Sequence, residues 1–240
     1  MSEISCHNPL LVALIETKMQ DHQSLVDDFP FTRMIQVPAV GNSGGLVILW
    51  DNSLIEVDDI ATTGQEIHAM VKVCATNEYW LFSCIYASTY LNSRKILWEN
   101  VKKIKVNYDG KWLIGGDFNE LMKSSEKAGV LGYGYYCELI DMGYKGGKYT
   151  WLNKRFNNRS SLIFERLDRF FANEEWLHKF PDAQVHHLPR IHSDHCPLLL
   201  SVLQNSPRKR NKLFRFESIW TTHTDLRNIV LGSWEGKRTS

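Results

Sequence analysis

One short segment, Trp112-Leu-Ile-Gly-Gly-Asp-Phe-Asn-Glu120, constrains the fold of this 240-residue chain most strongly. Its apolar start is typical of the end of a buried strand, and the two glycines that follow allow a tight turn. Asp117 and Asn119 come next, and residues two apart in an extended segment point to the same side. A carboxylate and a carboxamide at the mouth of a sheet favour cation or phosphate chemistry. A plain Asp/Asn turn explains these residues equally well, so the function depends on partners elsewhere in the chain.

The composition is that of a soluble globular protein, since 43% of the residues are apolar and 23% are charged. A length of 240 residues can hold one large domain with a full core or two small ones. The formal net charge is +1, so no overall basic field points to nucleic acid. Five scattered cysteines without a Cys-x-x-Cys spacing predict reduced thiols in an intracellular protein. The apolar run at residues 8–15 is too short to span a membrane and ends at Glu16. We therefore predict a buried strand there and no membrane association.

Most of the chain alternates between apolar runs and turn residues, which predicts many strands that are neighbours in sequence. The predicted strands are Leu10–Ile15, Leu46–Trp50, Leu54–Val57, Ile67–Val73, Tyr79–Tyr86, Trp112–Ile114, Tyr149–Leu152, Phe164–Ala172, Val185–Leu188 and Cys196–Val202. We expect the second and third of these to form one hairpin and the fourth and fifth to form another. The period of Ser93–Val106 predicts an amphipathic helix with Ser93 as its N-cap. Short helices are expected at residues 20–28 and 176–180.

Polar side chains gather at the ends of these predicted strands. Asp168 lies within a polar-rich strand, and the other candidates lie at a strand end or in an adjoining loop: Glu16, Tyr86, Asp117, Asn119, Asp194 and His195. Each of them taken alone is more often an ordinary exposed residue. Taken together, they are expected to converge at one edge of a β-sandwich.

Such a cluster is suited to phosphodiester hydrolysis. Glu16 and Asp117 offer the hard oxygen ligands that Mg²⁺ or Mn²⁺ prefers, and a bound cation polarises a phosphoryl oxygen. His195 serves as an acid or base near neutral pH, and Asp168 fixes its tautomer if the two lie close together. The remaining residues are expected to orient the water, a second metal or the phosphate: Tyr86, Asn119 and Asp194.

Other chemistries have weaker support in the sequence. His192 and His195 are spaced as zinc ligands, but no third ligand pattern accompanies them. The spacing Gly41-x-Ser43-x-Gly45 occurs once, but the apolar run after it predicts a strand and not the helix that follows a nucleophile elbow. The glycine-rich loops of nucleotide-binding proteins are absent from the sequence. We therefore expect no small organic cofactor.

The motif order resembles that of the endonuclease/exonuclease/phosphatase superfamily. The matching motifs are Glu16-Thr17, Ile85-Tyr86-Ala87, Gly116-Asp117-Phe118-Asn119, Tyr149-Thr150-Trp151, Arg166-Leu167-Asp168-Arg169 and Ser193-Asp194-His195. Further phrases are most similar to the apurinic-type endonuclease domain of plant LINE-type (non-LTR) retrotransposons: Ala13–Lys18, Asp117–Glu120, Gly143–Asn153 and Phe214–Glu217. The resemblance covers residues 8 to 220.

This resemblance implies a DNase I-like α/β fold, a four-layer sandwich of two mixed β-sheets flanked by helices. It implies a metal site at Glu16 and Asp194 for Mg²⁺ or Mn²⁺, and DNA as the partner. It also implies that Thr150 and Trp151 line the DNA-facing surface, and that the protein is a nuclear monomer. The catalytic residues that it implies are Tyr86, Asp117, Asn119, Asp168, Asp194 and His195.

The sequence also departs from the family pattern. The family's first strand, with an Asn that serves the metal and phosphate site, has no equivalent in Met1–His7. The helix expected after Ser125–Lys127 is also missing, because Gly129–Tyr136 is too short and too rich in glycine. We therefore expect an N-terminally truncated or decayed copy, or an incomplete gene model. A lost strand or helix leaves edges and apolar surface uncovered, so low stability and weak or absent cleavage are expected.

Two segments and three functions follow from this interpretation. Residues 1–205 are predicted to form the endonuclease domain. Residues 206–240 are predicted to form a basic linker and the start of the region that precedes the reverse transcriptase in such elements. The Arg208–Lys212 run is interpreted as a solvated part of that linker. The possible functions are a metal-dependent DNA endonuclease, a phosphatase of the same superfamily, and a non-catalytic remnant that binds nucleic acid.

Overall fold

The computed structural model describes residues 6–119, 137–153, 162–191 and 193–202. In chain order the elements are β1 (Leu11–Ile15), α1 (Gln23–Asp28), β2 (Arg33–Val40), β3 (Ser43–Trp50), β4 (Ile55–Thr63), β5 (Glu66–Val73), β6 (Glu78–Tyr86), α2 (Leu91–Asn107), β7 (Trp112–Asp117), β8 (Ile140–Asp141), β9 (Lys145–Gly146), β10 (Trp151–Leu152), β11 (Phe164–Glu165), β12 (Asp168–Ala172), α3 (Glu174–Lys179), β13 (Gln184–His187) and β14 (Leu198–Ser201). None of the helices among these residues is long and apolar enough to cross a membrane.

The strands form a small antiparallel sheet and a larger mixed one. The small sheet has the order β1-β3-β2, and the large sheet has the order β4-β5-β6-β7-β12-β8. Within the large sheet β6 and β7 run parallel, joined by α2 as the crossover, and β12 is antiparallel to β7. A further sheet has the order β14-β13-β9, and β10 pairs with β11.

A central apolar cluster packs the inner faces of the two sheets together. Leu46 and Ile48 of β3 share this cluster with Ile67 and Phe82 of the large sheet, and all four side chains are almost fully buried. β3 lies between β1 and β2. Residues 46–50 of this strand are all apolar, because both faces of the strand are covered.

Helices cover the outer faces of both sheets. Leu97 and Trp98 of α2 pack on the outer face of the large sheet, next to Trp112 and Ile114 of β7. Leu25 of α1 packs on the outer face of the small sheet. The order of layers is thus helix, sheet, sheet, helix, and the predicted α/β sandwich is confirmed.

Several local predictions were wrong. Residues 33–40 form β2, for which no strand was predicted. Residues 54–57 do not pair with β3, because β4 instead pairs with β5 in the other sheet. The turn at Asp51 therefore connects β3 of the small sheet to β4 of the large sheet. Helix α2 begins at Leu91 with Tyr90 as its N-cap, not Ser93. The predicted hairpin of residues 67–73 and 79–86 is confirmed as β5 and β6.

Other predictions fall on residues outside the described ranges. They concern the missing helix near residues 125–136, His192 as a zinc ligand and the basic linker at 206–240. The absence of a first strand stays a prediction as well.

Candidate active site

Three neighbouring strands of the large sheet bring polar side chains into one row. β6 and β7 are parallel, so Tyr86 and Asp117 at their C-terminal ends are direct neighbours in the sheet. β12 is antiparallel to β7, which places its first residue, Asp168, opposite Asp117. Gly116 allows the close approach of β6 and β7, because a Cβ at this position would lie 2.0 Å from the carbonyl oxygen of Ile85.

His195 lies against both carboxylates of this row. Its Nδ1 donates a hydrogen bond to Oδ2 of Asp168 at 2.9 Å, and its Nε2 lies 4.0 Å from Oδ2 of Asp117. Because a carboxylate only accepts, Nδ1 carries the hydrogen and Nε2 of the neutral ring points towards Asp117 as an acceptor. The backbone N–H of His195 donates to Oγ of Ser193 at 3.1 Å.

The segment around Thr150 fixes Asp168 and His195 relative to each other. The Thr150 hydroxyl accepts hydrogen bonds from the backbone N–H groups of Leu167 and Asp168, both at 3.0 Å. The carbonyl oxygen of Thr150 accepts from the N–H of Cys196 at 2.8 Å. One buried residue therefore holds both members of the His–Asp pair.

Burial and like charges raise the pKa of Asp117. The carboxyl is 2% exposed, and its desolvation together with the charge of Asp168 raises its pKa to about 7, despite the hydrogen bond from the Asn119 N–H and the charge of His195. Burial lowers the pKa of His195, but the hydrogen bond and charge of Asp168 outweigh it and raise the pKa overall. The site therefore holds excess negative charge.

A divalent cation fits this donor set. One potential ligand atom from each of Asp117, Asp168 and His195 lies within 4.8 Å of the others. Carboxylate oxygens suit Mg²⁺ or Mn²⁺, and a cation would offset the charge that raises the pKa of Asp117.

Glu16 reaches the same site from the small sheet. It follows directly after β1, and the Tyr86 hydroxyl donates a hydrogen bond to its carboxylate. Burial first, and then the charges of Glu16 and Asp117, raise the pKa of Tyr86 to about 12. Tyr86 is therefore a neutral donor at physiological pH. The Glu16 side chain is 40% exposed and lies 3.4 Å from Nζ of Lys18.

Asn119 and Asp194 complete the group. The backbone N–H of Asn119 donates to Oδ1 of Asp117 at 2.8 Å, and its Nδ2 donates to the carbonyl oxygen of Ala87 at 2.8 Å. The indole N–H of Trp151 donates to Oδ2 of Asp194 at 3.3 Å. The charge of Asp194 contributes to the raised pKa of His195.

The predicted residues thus converge, with one difference at the predicted DNA-facing pair. Trp151 is half-buried, whereas the side chain of Thr150 is fully buried. Thr150 acts inside the protein through the hydrogen bonds described above, and its side chain does not line the surface.

Two further residues support the site and were not predicted from the sequence. Gln65 braces the loop after Tyr86, because its Oε1 accepts from the Ser88 N–H at 2.7 Å and its Nε2 donates to the Ser93 carbonyl oxygen at 2.9 Å. Arg190 donates to the Thr150 carbonyl oxygen at 3.2 Å. Both act through backbone atoms, and no sequence spacing marks such contacts.

Comparisons with known proteins agree with this geometry. Residues 4–195 match the family described as the Endonuclease/Exonuclease/phosphatase family, and no curated protein matches the chain. The endonuclease domain of TRAS1, a telomere-specific non-LTR retrotransposon, shares the fold with a TM-score of 0.64 and 18% identity over 85% of this chain and 90% of that one. The AP endonuclease LMAP of Leishmania major shares it with a TM-score of 0.60 and 14% identity over 81% and 78%. A mannosyl-6-phosphatase of Bacteroides thetaiotaomicron shares it with a TM-score of 0.58 and 15% identity over 83% and 87%.

Proposed function

We propose that this chain, which belongs to the endonuclease/exonuclease/phosphatase family, is a metal-dependent hydrolase that nicks DNA by cleaving a phosphodiester bond. The observation that carries the proposal is the pair of the buried Asp117 and the half-buried His195, with Nε2 and Oδ2 4.0 Å apart. That gap accommodates one water or phosphoryl oxygen in hydrogen-bond contact with both groups. The motifs similar to those of plant LINE-type retrotransposons support DNA as the substrate and the nucleus as the location.

The chain's own residues supply the acid–base chemistry. Ionised Asp117 accepts a proton from the attacking water, whose oxygen forms the new bond to phosphorus as the bond to the leaving sugar oxygen breaks. Asp168 orients His195 and raises its pKa, which favours the protonated ring, whose Nε2–H donates to a phosphoryl oxygen that gains charge. On the other side of Asp117, the neutral Tyr86 hydroxyl, which donates to Glu16 in the metal-free chain, would donate to the phosphate instead when the Glu16 carboxylate holds the cation.

Glu16 and Asp194, the ligands that the family resemblance implies, would hold the cation, Mg²⁺ or Mn²⁺, next to the donor set of Asp117, Asp168 and His195. When bound, the cation polarises the phosphoryl oxygen and stabilises charge on the leaving oxygen. Burial, and after it the charges of Asp168 and Glu16, raise the pKa of Asp117, and a bound cation would offset these charges.

A plasmid-nicking assay tests the proposal. With Mg²⁺ present, Asp117→Asn and His195→Ala should each slow nicking by about 10²–10⁴-fold, the range for loss of general acid–base catalysis. Asp182→Asn is the control, because this carboxylate is exposed in the turn after α3, at the end of the sheet where β7 begins. Nicking that survives both site substitutions would contradict the assignment.

The choice of substrate separates this function from the alternatives. DNA and p-nitrophenyl phosphate are compared with the same preparation and the same metal. Faster turnover of the small ester would favour a phosphatase. DNA binding that weakens steeply with salt, without turnover of either substrate, would favour a non-catalytic nucleic-acid-binding protein.

A further inference from the structure

We propose that a relay of three side chains, Gln36, His22 and Thr17, with the buried His22 at its centre, fixes the backbone that aims Glu16 into the site. His22 is then a positioning residue for metal binding, although it touches no residue of the catalytic group. This inference rests on the proposed function, since it assigns a role to Glu16 as a metal ligand.

The relay satisfies both ring nitrogens of His22, which is fully buried. Its Nδ1 lies 2.7 Å from Oε1 of Gln36, and its backbone N–H donates to the same oxygen at 3.0 Å. An amide oxygen only accepts, so Nδ1 carries the hydrogen. Nε2 is then an acceptor in the neutral ring, and the Thr17 hydroxyl donates to it at 2.7 Å.

Thr17 lies between two residues with an unusual backbone. Glu16 has a φ of +52° and Lys18 a φ of +58°, the left-handed region that costs side-chain-bearing residues about 1–3 kcal/mol each. Such a conformation persists only where the surroundings enforce it. Two hydrogen bonds to β3 do so here, from the Thr17 N–H to Gly45 O at 3.1 Å and from the Lys18 N–H to Gly44 O at 2.9 Å.

The Thr17 hydroxyl links this strained turn to His22. It accepts from the Met19 N–H at 3.3 Å while it donates to the imidazole. The packing around it is tight, because a Cβ at Gly45 would lie 2.3 Å from the hydroxyl oxygen. Loss of the hydroxyl therefore frees the turn on the side away from β3.

Besides this turn, one hydrogen bond, from the Tyr86 hydroxyl, and one ion pair, with Lys18, position the Glu16 carboxylate. The Glu16 side chain is 40% exposed, and the ion-pair partner Lys18 is 58% exposed. An exposed ion pair contributes little rigidity. The backbone at Glu16 and the hydrogen bond from Tyr86 together therefore set the position of the carboxylate, and loss of the relay should weaken metal binding. Groups that orient metal ligands typically change metal affinity by about 10–100-fold when mutated.

Mn²⁺ affinity of the full chain, measured by electron paramagnetic resonance of the free ion without DNA, tests the relay. Thr17→Val removes the hydroxyl with almost no change in shape, and its Kd for Mn²⁺ should rise about tenfold or more. Thr17→Ser keeps the hydroxyl and should stay within about twofold of the unmodified chain. His22→Asn keeps a donor for Gln36 but loses the acceptor for Thr17, so it should resemble Thr17→Val.

Ser83→Ala is the matched control for lost stability. It removes a hydroxyl from another buried histidine contact, since His68 Nδ1 lies 2.7 Å from Oγ of Ser83, and it lies on the face of the large sheet that α2 covers. It should lower stability without changing Mn²⁺ affinity. The relay proposal is overturned if Thr17→Val and His22→Asn bind Mn²⁺ as tightly as the unmodified chain, or if Ser83→Ala weakens binding equally.

Glu16→Gln distinguishes failure of the relay role from failure of the proposed metal-binding role of Glu16. If Glu16→Gln weakens Mn²⁺ binding and the relay variants do not, the relay role fails and the metal site stands. If Glu16→Gln also leaves the affinity unchanged, the metal assignment and the relay role both fail.

Discussion

The protonated carboxyl of Asp117 favours the folded chain, whereas the proposed catalysis needs the ionised carboxylate. Burial and the charge of Asp168 raise its pKa from 3.8 to about 7. Between pH 3.8 and about pH 7, Asp117 holds a proton in the folded chain and releases it in the unfolded chain. The stabilisation is therefore complete below about pH 4 and is lost as the pH rises through about 7. The raised pKa of His195 acts in the same direction.

Asp117→Asn should therefore stabilise the metal-free chain at high pH. The amide mimics the protonated carboxyl and keeps an oxygen for the Asn119 N–H. In EDTA at pH 8 we expect the free energy of unfolding to rise by roughly 2–4 kcal/mol, and the gain should nearly vanish at pH 4. Urea denaturation at both pH values measures it, with Asp182→Asn as the exposed control. An Asp117→Asn chain less stable than the unmodified one at pH 8 would contradict this account.

Among the elements, α3 and β7 depend on one shared side chain, that of Asn173. Its Oδ1 accepts from the Trp176 N–H at 3.1 Å as the N-cap of α3, and from the Trp112 N–H at 2.9 Å at the start of β7. Its Nδ2 donates to the Gly110 carbonyl oxygen at 2.8 Å. Both tryptophans are fully buried, so water cannot replace these bonds.

Asn173→Ala should destabilise the chain by about 2–4 kcal/mol, because it leaves two buried N–H groups without an acceptor. Asn173→Asp keeps the acceptor and loses only the donor to Gly110, so its cost should be smaller. Urea denaturation compares the two variants. Equal losses would show that the Gly110 contact, and not the shared acceptor, stabilises this junction.

The local sequence pattern predicted which residues form strands better than it predicted which strands pair with one another. The β5–β6 hairpin follows from two alternating runs around a short turn, and β7 from its apolar run and glycines. Sheet membership depends on pairing between distant segments, so the transfer of β4 to the large sheet was not visible in the sequence. β2 was missed because residues 33–40 include Pro38 and the polar Arg33 and Gln36, and only Ala39 among its side chains is fully buried.

The sequence predicted those residues of the candidate site that lie in recognisable motifs. Asp117, Asp168 and His195 stand in motifs whose order resembles a known family, and the structure brings them together. The relay of Thr17, His22 and Gln36 has no such mark, because its members are 5 and 14 residues apart. Buried polar contacts of this kind follow from three-dimensional packing and not from local periodicity.

In the whole molecule, the site joins parts of the fold that do not pair with one another. Glu16 follows β1 of the small sheet, Asp117 and Asp168 belong to the large sheet, and His195 precedes β14 of a third sheet. The unfolded chain does not bring these groups together. A cation held by them would therefore bind the folded chain almost exclusively, and its binding would stabilise the entire fold.

Mn²⁺ at about 100 times its Kd should thus raise the free energy of unfolding by about 2.7 kcal/mol at pH 8. The gain should be smaller at pH 5, because protonation of Asp117 and His195, whose pKa values are raised in the metal-free chain, opposes cation binding. Urea denaturation with and without Mn²⁺ measures the gain. Glu16→Gln should lose most of it at the same Mn²⁺ concentration, whereas Asp182→Asn should retain it. Equal gains in both variants would place the bound cation away from Glu16, because only a site that includes this carboxylate distinguishes the two substitutions.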